Sequence, residues 1–410
     1  MEPHPHPHVH DGSPPAPLGR RARRVLTLVV LAVVLAAVAG MAATWPRDVP
    51  SASVGYVGAE PVRGDVLSTT MLTCRGELAE ERLPDGTLPE TVECPEATVR
   101  VDGPAGTEVT VPVPAAAYHG GLSPGTRVVL TRYPAEAGGQ DTYVWDDVDR
   151  RVPLAVVVAV FVVLTVAVGR RRGLAALAGL ALGGAAIAFH VVPALLAQED
   201  AVVVGLSAAT AVMGVVIYLT HGFSTRTTVA YLGTVAGLVV TAVAAVLAVD
   251  SAHLTGLSDE NAYTVTVLTG AVDLRGVVLA GTLVAALGLL NDVTITQAAA
   301  VWEVRAAQPA AGFRELFAAG MRVGRDHLAS TVYTVTFAYA GAAMPSLLLV
   351  RLYDQPLGQL VNSSAIAEEL VRSAVGGIAL ALTVPLTTAL AAALVLRSPR
   401  GSGSGSAGPS

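Results

Sequence analysis

The chain has 410 residues, 52% hydrophobic, 14% charged and 5% aromatic, with a formal net charge of −6 and a mean hydropathy of +0.58. A soluble domain carries about 25% charged residues, so a cytosolic enzyme along the whole length is excluded. All 26 basic residues are Arg. Without Lys there is no Walker A phosphate loop and no ATP hydrolysis within this chain, and no basic run suits nucleic acid, so neither nucleotide nor nucleic acid is an expected partner.

Residues 1–24 read as a disordered His- and Pro-rich tail carrying His4, His6, His8 and His10. Short His-rich tracts bind transition metals through neutral imidazoles; the alternative is incidental weak affinity. Residues 25–44 read as a transmembrane anchor preceded by Arg20, Arg21, Arg23 and Arg24. Ala37 and Ala39 leave a signal peptide as the alternative, although the apolar stretch Val25–Ala43 is long for one.

From 45 to 152 the character changes, with Pro and Gly punctuating short runs rich in Val and Thr. Thr91–Glu93, Ala97–Val101, Glu108–Val111 and Arg127–Leu130 read as strands, and Pro84-Asp85-Gly86, Asp102-Gly103-Pro104 and Ser123-Pro124-Gly125 as turns. Five or six such strands predict a small all-β barrel or sandwich. Its two cysteines, Cys74 and Cys94, are expected to form a disulfide in an oxidising, extracytoplasmic compartment.

Residues 153–397 read as a seven-helix transmembrane domain, with spans near 153–169, 173–196, 201–220, 228–249, 277–298, 328–350 and 371–396. Arg170–Arg172, Arg226, the 305–325 connection and Arg397 fall on one side together with the N-terminal arginines. The opposite connections are acidic or neutral, as at Gln198-Glu199-Asp200, which puts both termini in the cytoplasm. The outer connection 250–276 reads as a re-entrant segment or an outer amphipathic helix, and 303–325 as an interfacial amphipathic helix. A Gly/Ser tail closes the chain at 398–410. The predicted fold is an α-helical polytopic membrane protein of about eight transmembrane helices with a small extracytoplasmic β domain.

Ionisable residues in hydrocarbon are costly and mark functional sites. Gly281, Ala285, Gly288, Asp292, Thr296, Ala299 and Glu303 recur at steps of three and four, so they share one helix face. Asp326, Ser330 and Thr334 form a second stripe, His221 closes the fourth span, and Thr387 and Thr388 lie in the eighth. Hard oxygen donors with one or two imidazoles suit a divalent cation or a proton relay. The candidate ion- or solute-binding set is Asp292, Thr296, Gln297, Glu303, Asp326, His327, Ser330 and His221. The competing reading has Asp292 locked to Arg322 or Arg325 as an interhelical ion pair.

The stretch Leu287-Gly288-Leu289-Leu290-Asn291-Asp292-Val293-Thr294-Ile295-Thr296-Gln297 runs on into Trp302-Glu303-Val304-Arg305, and Met321–Thr331 opens the next span. With Asp147–Arg151, Tyr218–Gly222, Leu254–Leu257 and Val384–Thr388, it resembles the YibE/F-like membrane protein family in its actinobacterial form. The resemblance runs from about residue 50 to about 395. Asn291 stands where the family tends to carry a second acid, and Tyr333 where it tends to carry Asn. The resemblance implies a multi-pass plasma-membrane protein and assigns no substrate.

The chain has no His-Glu-x-x-His, Gly-x-Ser-x-Gly or Cys-x-x-Cys motif, so a non-enzyme without a cofactor is expected. The favoured function is a permease for an ion, a divalent metal first, or for a small polar solute. Its partners are then the lipid bilayer and the transported species. The alternative is a membrane scaffold whose β domain binds an envelope protein.

Overall fold

The computed structural model describes residues 19–49, 59–75, 87–103, 106–135, 139–258, 260–269, 272–352 and 356–397. The four tail histidines and the Pro84–Gly86 turn lie outside the described residues. The chain divides into two compact units, Ser53–Val168 and Met1–Ala52 with Gly169–Ser410.

In the first of these, β1 (Glu60–Arg75), β2 (Thr91–Val101), β3 (Glu108–Pro112), β4 (Arg127–Tyr133) and β5 (Thr142–Val148) make one antiparallel sheet in the order β3-β2-β1-β4-β5. The long central β1 pairs with β4 through its first residues and with β2 along the rest, with a register shift between Val66 and Ser68. That shift bends the strand, and the edge strands β3 and β5 come into contact. The sheet thus closes on itself in barrel fashion. Val66, Val99, Val111, Val128 and Leu130 fill the interior, as period-two alternation dictates. Cys74 and Cys94 are disulfide-bonded across the β1–β2 pair, with Cα atoms 5.8 Å apart.

After β5, Asp149 accepts hydrogen bonds from the Arg151 side chain (2.8 and 2.5 Å) and lies 3.7 Å from Arg63. Bonding to Arg151 holds its carboxyl well below the usual carboxylate range. Here α3 (Arg151–Ala186) begins.

The second unit holds α1 (Arg20–Ala43), the end of α3, a π-turn at Ile187–Val191, α4 (Val192–Leu196), α5 (Ala201–His221), α6 (Thr225–Ser251), α7 (Glu260–Thr269), α8 (Leu274–Ala307), α9 (Phe313–Ala342), α10 (Met344–Leu352), α11 (Leu357–Val361) and α12 (Ser364–Val395). Side-chain caps start three of them. Asp200 accepts from Val203 N at 2.9 Å, Ser224 from Thr227 N at 3.1 Å and Asp273 from Arg275 N at 3.1 Å.

Six described helices are long and apolar enough to cross a membrane: Arg20–Ala43, Arg151–Leu196, Ala201–His221, Thr225–Ser251, Leu274–Ala307 and Ser364–Val395. Two regions of the expected eight spans differ in their helix boundaries. The second and third spans fall in one helical stretch, interrupted where Arg170 takes φ 49° and ψ −128°. The seventh, 328–350, is divided between α9 and α10. Only Ala343 separates α9 from α10, so the stretch 327–352 keeps the length of a crossing of about 20 residues. The expected interfacial helix in 303–325 is no separate element either: its Phe313–Arg325 part is the start of α9, where Leu316, Ala319, Gly320 and Gly324 are buried. The outer connection carries the ten-residue α7.

Helices α6, α8 and α12 pack on one another, α9 packs on α8 and α12, and α5 packs on α6 and α8. The approach to α12 depends on small residues. A Cβ at Gly233 would lie 2.3 Å from Thr387 Oγ1, one at Gly237 would lie 2.4 Å from Thr383 Oγ1, and one at Gly324 would lie 2.5 Å from Val384 Cγ1. Two glycine pairs four residues apart, Gly233/Gly237 on α6 and Gly320/Gly324 on α9, therefore receive α12 from two directions. Pro385 sits inside α12 at this level and removes the N–H that would bond the Ala381 carbonyl.

Gly233→Ala should lower the thermal unfolding midpoint of the detergent-purified protein, at a cost of roughly 1–3 kcal/mol for overpacking. Adding Thr387→Ala should recover part of that loss. A Gly233→Ala protein as stable as wild type would contradict the close approach.

Candidate functional site

Contacts that pair Leu289 with Gly376, and both Gln297 and Val301 with Gly320 beside Thr388, set the register of three helices. Residue numbers rise together along α8 and α12 and in opposite senses along α8 and α9. The three line a half-open cavity of about 320 Å³. Its lining includes Asp292 and Gly288 from α8, Thr331, Thr334 and Tyr339 from α9, and Arg372 from α12.

The α8 stripe has its basis in helical periodicity. Ala285, Gly288 and Asp292 line the cavity, while Leu283, Leu290, Val293 and Ala298 on the other side are buried. Small residues at 285 and 288 keep the space open beside Asp292. The helix extends well past the expected end of its span. Asp292 lies 18 residues beyond Leu274 and 15 before Ala307, about 27 and 22 Å from the two ends at 1.5 Å per residue. Its side chain is 70% exposed, and His327 Nε2 lies 3.5 Å from Asp292 Oδ2. The expected alternative, a lock with Arg322 or Arg325, is not the arrangement found.

The cavity carries a second charge. Arg372 Nη1 donates to Glu369 Oε1 at 2.7 Å from the neighbouring turn of α12, while Arg372 Nε is buried without an acceptor. Between the two charged ends lie the hydroxyls of Thr331 and Thr334, the latter bonded to Ser330 O at 3.1 Å.

The eight sequence-derived candidates do not gather into one site. Asp292 and His327 meet. Gln297 is 1% exposed and pins three helices, its Nε2 donating to Gly320 O and to Thr388 Oγ1, both at 2.7 Å. Thr296 is half-buried on α8, and Glu303 and Asp326 are exposed. Ser330 Oγ donates to His327 O at 3.0 Å, and His221 Nδ1 lies 2.7 Å from Thr220 Oγ1 at the end of α5. Among the described residues no group of three or more His, Cys, Asp or Glu is placed to hold a metal ion.

Sequence reasoning missed Arg372, Thr331 and Tyr339. Arg372 stands at the edge of a predicted span, where an arginine reads as a boundary. The signal was its position on the side that the arginine bias makes extracytoplasmic. His190 was also missed: it is 2% exposed in the π-turn, stacks on Trp45 at 5.6 Å between ring centroids, and leaves both ring nitrogens unpartnered.

Gln297→Leu should leave Gly320 O without its side-chain donor and destabilise the helical unit by roughly 1–3 kcal/mol, read as a lower unfolding midpoint. Thr296→Val, one residue away, should leave the midpoint unchanged. Equal midpoints for Gln297→Leu and wild type would refute the pinning role.

No curated protein and no solved structure matches the chain. A family model described as YibE/F-like protein matches residues 157–397, which takes in the helices that build the cavity. That is more than half of the chain, and its apolar helices fit a membrane protein; the protein belongs to the YibE/F-like family.

Proposed function

We propose that the protein is a multi-pass plasma-membrane permease, with both termini cytoplasmic, and that the α8–α9–α12 cavity is its solute site. The observation that carries this reading is Asp292. A carboxylate near the middle of a long apolar helix, with one imidazole beside it, is costly in hydrocarbon unless it faces water or a bound solute. The cavity offers it such a face.

Of the two cargo classes expected from sequence, the small polar solute fits better than the divalent cation. A divalent ion takes six or more oxygen donors, or three to four N/O/S donors in tighter geometry. The lining supplies one carboxylate with the His327 imidazole beside it, and places an arginine in the same space. Alternating access would require α9 or α12 to move, and Pro385, which lacks the N–H for a helical hydrogen bond, is where α12 bends at least cost.

The test compares the elemental and small-molecule content of cells carrying wild type, Asp292→Asn or empty vector, at matched expression. A solute whose level changes with wild type and returns to the vector level in Asp292→Asn is the expected result. Identical profiles for wild type and Asp292→Asn would overturn the site.

A further inference from the structure

We propose that the cavity takes a small zwitterion, of amino-acid to dipeptide size, with its cationic group on Asp292 and its anionic group on Arg372. This inference rests on the permease reading of the same cavity and names its substrate class.

The two charges stand at different levels. Leu289 of α8 abuts Gly376 of α12. Asp292 is three residues beyond Leu289, and Arg372 is four before Gly376. Because the helices run in the same direction, the two Cα levels are about 10 Å apart along the axis at 1.5 Å per residue. On the antiparallel α9, His327 and Thr331 fall at the Asp292 level and Tyr339 at the Arg372 level, which makes two polar ends of one space.

Each end has unused capacity. Asp292 accepts no hydrogen bond among the described residues, and its His327 contact of 3.5 Å is long for one. At the other end Glu369 engages Nη1 of Arg372 from outside the lining and leaves Nε buried without an acceptor. Glu369 thereby acts as a positioning residue, fixing the guanidinium at the cavity wall.

The middle of the cavity excludes a third charge. Ala285, Gly288, Leu289 and Gly376, with the Thr331 and Thr334 hydroxyls, offer apolar contact and neutral hydrogen bonds. The lining itself carries one acidic and one basic side chain, the latter bonded to Glu369 outside it. A simple cation would engage Asp292 alone, and a simple anion only the Arg372 donors that Glu369 leaves free. A zwitterion satisfies both.

The experiment is binding to the full-length protein in lipid nanodiscs, by calorimetry. The probes are 4-aminobutyrate and dialanine as zwitterions, with butylamine and butyrate as single-charge controls. Wild type should bind a zwitterion at least tenfold more tightly than either control. Asp292→Asn and Arg372→Gln should each lose at least tenfold, and Arg372→Lys, which keeps the charge but not the planar fork, should also weaken binding. Gly288→Leu, where a Cβ meets nothing within 4 Å, should fill the space and abolish binding without unfolding the helix.

Butylamine binding as tightly as the zwitterions to wild type, a comparison that needs no variant, would overturn the proposal in favour of a cation site and leave the permease reading intact. Butyrate binding as tightly would overturn it in favour of an anion site, again with the permease intact. No probe binding, while Asp292→Asn still reverts a cellular solute change, would overturn the zwitterion class alone. No binding together with identical cellular profiles would overturn both.

Discussion

Helix α12 reaches α6 and α9 at distances that only glycine permits, and the cavity depends on that approach. With Thr383 and Thr387 set against Gly237 and Gly233 on one side, and Val384 and Thr388 against Gly324 and Gly320 on the other, the lower part of α12 is fixed between two neighbours. Lipid supplies no hydrophobic drive for helices to associate, so packing and interhelical hydrogen bonds must do so. Gln297 adds the second of these by donating to both α9 and α12. Above this tight zone, where α9 and α12 lack such glycine contacts with each other, the space between them and α8 opens. The polar ends and small residues of the cavity occupy that opening.

The same arrangement explains why a carboxylate and a guanidinium persist at membrane depth. Thr234 and Thr294 bond each other at 2.7 Å in the buried seam between α6 and α8, so polarity there is satisfied internally. Asp292 and Arg372 face the other way, into the cavity, with donors and acceptors unspent. That division separates residues that hold the bundle from residues that line the cavity. It also explains why polar residues on one stretch of α8 have different roles: Gln297 points into the seam and Asp292 into the cavity.

Much of this was legible in the sequence. Periods of three and four on α8 placed Gly281, Ala285, Gly288 and Asp292 on one face, because an amphipathic stripe survives in a helix whatever its neighbours. Family motifs around Asp292 and Val384–Thr388 carried the assignment, and the helices they occupy match the family model. The strands at β2, β3 and β4 followed from alternation. By contrast, β1 was not singled out, since Thr, Ser, Gly and Asp interrupt its apolar pattern, although it is the central strand of the sheet. Apolarity alone did not give the helix boundaries: the break at Arg170 and the division between α9 and α10 are backbone features that the apolar pattern does not mark. Arg372 was missed for a related reason, since its place in the cavity lining follows from the packing of α12 against α8.

The central claim is that water, and not lipid, fills the space beside Asp292. Both native cysteines are in a disulfide, so a single introduced cysteine reports without background. Thr334→Cys lines the cavity, and Phe337→Cys, three residues on, occupies a position that is 73% exposed but outside the lining. In membranes, a charged, water-soluble methanethiosulfonate reagent should modify the cysteine at 334 at least tenfold faster than the one at 337. Equal rates, or no reaction at 334, would contradict a water-accessible site.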